Sequence, residues 1–140
     1  MMQHWSGALV LCVASWPAIG LAATGAQAQF DQGRACRNGI GVAVDTVRAF
    51  ELIHAAAQGS HAAAMFTLSN MLMEGEGTAR NLPEARRWLE AAAALDYPEA
   101  LQQLAMHLKD GTMGYERDEA RAAQLMREAE HAIAHRARER

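Results

Sequence analysis

The chain has 140 residues, 51% of them apolar, and a formal charge of −3. That length suits one domain, and the apolar fraction is enough for a packed core. The small negative balance gives no basic field for nucleic acid. A composition dominated by Ala, Leu, Met, Arg and Glu, with three prolines, favours helix.

The first 28 residues stand apart. Residues 8–23 are mainly apolar, with Leu9, Val10, Leu11, Val13, Ile19 and Leu21, and Ala26, Gln27 and Ala28 follow closely. An apolar run ending in Ala-x-Ala has the form of a secretory signal peptide, so cleavage is expected after Ala28. The opening five residues depart from that form in carrying no Lys or Arg. Pro17 interrupts the run, which is shorter than the ~20 residues a spanning helix needs, so an uncleaved anchor is disfavoured. The expected product is a periplasmic or secreted chain of residues 29–140, free of the membrane. It retains one cysteine, Cys36, which excludes an intramolecular disulfide. Free cysteines are among the most buried residues, and a buried Cys36 is expected.

The remaining sequence repeats at an interval of 36 residues: Ala64, Leu68, Leu72 and Gly75 return as Ala100, Leu104, Leu108 and Gly111. A fixed period of this length signals stacked units that bury apolar faces against one another. The expected units are about 29–59, 60–95 and 96–137. The opening helix of the first would begin at Phe30, with few apolar contacts, and Gly33 weakens it by about 1 kcal/mol relative to Ala. This first unit is therefore expected to be incomplete. Asp45 caps its second helix, which carries Ala49, Leu52, Ile53 and Ala56. In the second unit a helix starts near Ser60, places Ala64, Leu68, Met71 and Leu72 on one stripe, and stops at Gly75 and Gly77. Asn81, with Glu84 three residues on, opens the next helix, whose stripe is Ala85, Trp88, Leu89, Ala92 and Ala93. The third unit has Asp96 as its expected first cap and Ala100, Leu104, Ala105 and Leu108 as its stripe. Its turn is one residue longer. Asp118 caps a last helix with Ala122, Leu125, Met126 and Ala129 inward, ending in an arginine-rich tail.

The pattern resembles the Sel1-like repeats, relatives of the tetratricopeptide repeat. The resemblance is carried by Gly39, Ile40, Gly41, Val42 and Ala49, then by Ala64, Leu68, Gly75, Gly77, Ala85 and Trp88, and more weakly by Ala100, Leu104, Gly111, Gly114 and Ala122. Ser69 and Ala105 stand where the family has a helix-packing glycine. Leu72 and Leu108 stand for its tyrosine, and Met113 displaces the second glycine of the last turn. The resemblance implies an all-α fold, a short α-solenoid of antiparallel helix pairs. It also implies a protein–protein interaction module or adaptor whose first helices line a concave face.

Placed on that pattern, Phe66, Asn70 and Met73 fall on the face, with Gln102, Met106 and Lys109 one unit on and Arg34 and Arg37 one unit earlier. Amides, thioethers and one aromatic with a cationic end suit a peptide or partner helix. Two alternatives remain. Cysteine-rich relatives are linked to β-lactams, but this chain has no cysteine to pair and no Ser-x-x-Lys motif. The chain is otherwise a self-associating subunit whose incomplete first unit docks on another copy.

No enzymatic constellation or cofactor site is expected. The Gly-x-Gly pairs follow helices rather than strands, which disfavours a nucleotide loop. His131 and His135 have the spacing of two metal ligands, but Glu128 and Glu139 are the only further candidates, so no metal site is expected. His61 and His107 read as helix-surface residues.

Overall fold

The computed structural model describes residues 19–140, with side chains from Gly25 onward. Most of the expected leader lies outside the described residues. Among those described, six helices follow one another: α1 (Ile19–Asn38), α2 (Thr46–Gln58), α3 (Ala62–Glu74), α4 (Leu82–Ala94), α5 (Pro98–Asp110) and α6 (Glu119–Arg138). The most extensive packing is within the pairs α1–α2, α3–α4 and α5–α6, and α2–α3 and α4–α5 join the pairs in series. The described residues thus form an all-α solenoid of three hairpins.

The same hydrogen bonds close each hairpin. The carbonyls of Cys36, Leu72 and Leu108 accept the backbone N–H groups of Asp45, Asn81 and Asp118 at 2.9, 2.9 and 2.8 Å. Those three residues then cap α2, α4 and α6, their side chains accepting from the backbone N–H of Arg48, Glu84 and Arg121. Each cap satisfies an otherwise orphaned donor and contributes about 1 kcal/mol. Cys36 is half-buried against the core rather than fully buried. The general tendency of free cysteines to be buried overstated its burial.

Two expected caps shift by one residue. Ser60 and Asp96 do not cap α3 and α5; they adopt left-handed backbone, with φ of 62° and 54°. Each is the turning residue of a Schellman motif that ends the preceding helix. His61 N–H donates to Ala56 O while Ser60 N–H donates to Ala57 O, and Tyr97 and Asp96 repeat this on Ala92 and Ala93. Ser and Asp serve both as N-caps and, occasionally, in left-handed turns, so residue type alone did not separate the two jobs. The caps are His61 and Tyr97, and Tyr97 makes no side-chain cap bond.

His61 is not a plain surface residue. Its Nδ1 accepts from Ala64 N–H at 3.1 Å and its Nε2 lies 2.8 Å from Gln27 Oε1. The imidazole must therefore be neutral, with its proton on Nε2. Burial lowers its pKa, opposed by the Asp31 carboxylate. A folded pKa below the unfolded value contributes stability that is present above about pH 6.5 and is lost as pH falls through the folded pKa. Thermal midpoints should therefore fall on acidification from about pH 7 to 5. His61→Asn, which keeps a capping acceptor without titrating, should reduce that slope; an unchanged slope would exclude His61 as a source.

The first unit is a full hairpin, not an incomplete one. Its helix starts well before Phe30, and Ala26 is buried. The expected cleavage point after Ala28 falls inside α1. Whatever Gly33 costs α1 in helix propensity, it also serves the pairing of α1 with α2. A Cβ at Gly33 would lie 2.6 Å from Ile53 Cγ1 and 3.3 Å from Ile53 N, so glycine permits the close crossing of α1 on α2. Ser69 and Ala105 occupy the equivalent crossings and are buried. The Ser69 hydroxyl, fully enclosed, donates to the Ala85 carbonyl at 2.7 Å and so needs no further partner.

Candidate protein-interaction face

The expected face belongs to the first helices, α3 and α5. Glu99, Gln102, Gln103, Met106, His107 and Asp110 are spaced as one stripe along α5. With Phe66 of α3 and Thr112 of the third turn they line a groove of about 470 Å³. The stripe is about 16 Å long at 1.5 Å per residue. Phe66 is half-buried and packs against Tyr97, with ring centroids 5.5 Å apart. Met106 is 61% exposed. These two side chains are the apolar anchors of the groove, with amides between them and carboxylates at both ends.

The other expected residues are deployed differently. Asn70 accepts from Gln103 Nε2 at 3.0 Å, a bond that ties α3 to α5 at the groove edge. Met73 packs against the core. Lys109 is exposed and lies on the far side of Met106, in a separate cavity with Ala122 and Met126. Arg34 is exposed, its guanidinium 5.7 Å from the Phe30 ring centroid. Arg37 is engaged with Glu76: Nε donates to Oε1 at 2.8 Å and Nη2 to Oε2 at 2.7 Å. That bidentate pair locks the first unit to the second and neutralises Arg37, which leaves the charge of Arg34 at the expected cationic end.

His107 was expected at the surface and is half-buried. Its Nδ1 lies 2.8 Å from Thr112 Oγ1, and its ring stacks on Tyr115 at 6.4 Å. Its Nε2 is buried without a hydrogen-bond partner. Burial lowers its pKa against the raising effect of Asp110. Tyr115 is itself held by Glu90, which accepts from its hydroxyl at 2.8 Å, and by Arg86, 3.9 Å above its ring. Arg86 also donates to the Gly114 carbonyl at 2.9 Å, which fastens the long third turn to the second unit. Gln103 and His107 share a helical stripe with Glu99 and Met106, and that spacing was the signal available for them.

Elsewhere, His135 lies 3.4 Å from Glu139. Among the described residues, no group of three potential metal ligands converges. No described helix is long and apolar enough to cross a membrane.

Three successive hairpins, each closed by the same carbonyl-to-cap bond and stacked in register, define a helical repeat protein of the solenoid class. The Sel1 repeat pattern matches residues 26–61, 62–97 and 98–131, and the chain belongs to that family. These bounds begin two or three residues from the units expected from sequence. Among solved structures it resembles a Sel1 repeat protein from Oxalobacter formigenes, at 26% identity and a TM-score of 0.74, over 76% of this chain and 43% of that one. It also resembles c5321, described as a protective antigen of uropathogenic Escherichia coli with an SLR fold. That match has 28% identity and a TM-score of 0.70, over 79% of this chain and 24% of that one. The chain therefore matches less than half the length of either. A search of curated proteins finds no significant match.

Proposed function

We propose that the protein is an interaction module that binds a peptide or helix of a partner protein along the α5 stripe. The observation that carries this is the groove joining Phe66, Gln102 and Met106 across two units. A solvent-exposed methionine beside a half-buried aromatic adapts to an apolar anchor on a partner. At about 3.3 Å per residue, the stripe suits roughly five residues of an extended segment. Asp110 at one end favours a segment with a basic flank, while Glu99 at the other end is already paired with Arg136 at 3.3 Å. No enzymatic role is assigned.

The Ala-x-Ala leader pattern supports an adaptor role outside the cytoplasm. N-terminal sequencing of the purified exported chain tests this. A start at Gln29 would remove residues 19–28 of α1, with buried Ala26 and the Gln27 partner of His61, and so shorten the first hairpin. An intact Met1 in the exported fraction would overturn cleavage.

Phe66→Ala with Met106→Ala should abolish recovery of the partner in pull-downs while leaving the helical circular dichroism intact. Loss of the anchors is expected to weaken binding by about a hundredfold or more. Undiminished recovery would exclude this face.

A further inference from the structure

The stacking rule inside the array is visible at its internal junctions and unfulfilled at its two ends. At the first junction the turn of the second unit sits on the helices of the first. Gly77 lies over the Thr46 carbonyl and beside Phe50, and Glu76 grips Arg37. Ile53 of α2 and its counterpart Leu89 of α4, each in a unit that has another unit after it, are fully buried. The counterpart in α6, allowing for the inserted residue, is Met126, which is 39% exposed. Met126 lines a cavity of about 410 Å³ with Ala105, Met106, Lys109, Ala122 and Ala123. Among the described residues, nothing covers this face.

The opposite end supplies a matching surface. In the second unit's turn Glu76, Gly77 and Thr78 are half-buried by the preceding unit. Their counterparts in the first turn are Ile40, Gly41 and Val42. Ile40 is 62% exposed and Val42 50%, and a Cβ on Gly41 would meet nothing within 4 Å. Polar residues therefore occupy the turn that is half-covered, while apolar ones occupy the turn that is open. Val44 and Val47, also exposed, extend the patch. Four exposed aliphatic side chains within eight residues mark an interaction surface rather than scattered surface apolarity.

We propose that a second copy of this chain docks head to tail, its first turn seated on the α5–α6 face where a fourth unit would begin. The proposal rests on the fold and not on the proposed function; the docking face shares Met106 with the α5 groove, so the test below leaves Met106 intact. The occupant follows from the two internal junctions, which already join this fold to itself through equivalent positions. In this register Gly41 of the incoming copy lies over the start of α6, as Gly77 lies over Thr46. Ile40 lies against the stem of Lys109, which is the counterpart of Arg37. The two surfaces differ, so the contact is heterologous, and each added copy presents a fresh face for the next. Association should therefore continue past the dimer as concentration rises.

Sedimentation velocity of the full chain across a concentration series tests this with two substitutions outside the α5 groove. Val42→Glu blocks one face and Met126→Glu the other; both sites are at least partly exposed, and circular dichroism verifies that each variant folds. Each variant alone should weaken association by about tenfold or more. Mixed in equal amounts they should form a dimer that grows no further, because each contributes one intact face. Three results would overturn the proposal: wild-type chain that stays monomeric throughout the series, as it would if residues 1–18 covered the first turn; Met126→Glu that associates like wild type, which would indicate patch-to-patch pairing; or a mixture that remains monomeric.

Discussion

Gly77→Ala is expected to disrupt the array, while Gly41→Ala leaves it folded. The two glycines have the same left-handed backbone, with φ of 70° and 72°, and occupy equivalent turns. An alanine at either position incurs the left-handed penalty of about 1–2 kcal/mol. Only at Gly77 does the added Cβ also meet backbone, 2.1 Å from the Thr46 oxygen and 2.6 Å from its carbon. Relief requires the second turn to lift from α2, which also pulls Glu76 from Arg37. We expect Gly77→Ala to lose about 4 kcal/mol or more, a large share of the 5–15 kcal/mol typical of a domain. The thermal midpoint should fall by more than about 10 °C, against a few degrees for Gly41→Ala. Equal losses in the two variants would show that backbone conformation alone, not the junction, requires glycine. If copies associate through the first turn, the comparison must be made at concentrations low enough to keep the chain monomeric.

The second large effect is expected at Leu68. It is fully buried in α3, in the middle unit, and belongs to the single core cluster that runs from Phe30 to Ala129. Leu68→Ala removes its apolar burial and leaves a cavity that the rigid crossings at Ser69 and Ala85 hinder from closing. A loss of about 3–5 kcal/mol is expected, measured by urea unfolding. Because stability in stacked repeats passes through neighbour interfaces, the loss should appear as one transition at lower denaturant. Leu95→Ala, at an exposed site between units, should change stability by less than about 1 kcal/mol. A small loss at Leu68 would mean the middle unit repacks freely.

Many of the features that shape each unit are local, and these were legible in the sequence. Asp45, Asn81 and Asp118 act on donors three residues away, and the pairing of Leu68 with Leu104 follows from the period. Features that depend on helix rotation or on contacts between units were not legible. The Arg37–Glu76 pair joins residues 39 apart, so Arg37 read as a free cation when it is a fastener. Ser60 and Asp96 sit where helix end and helix start overlap, and the choice between them was made by hydrogen bonds to the preceding helix. Of the candidate face, Phe66, Gln102 and Met106 line one groove. Gln103 and His107 joined them by lying on the same α5 stripe, and Thr112 by its contact with His107 at the third turn.

The sequence by itself determined the repeat, its three N-caps and the all-α class, because these rest on period and on short-range hydrogen bonding. Tertiary structure alone decided that Gly33 is a crossing point, that the first hairpin is complete and that Gly77 differs from Gly41. Each of those depends on what another unit places within a few ångströms, a distance no local pattern encodes.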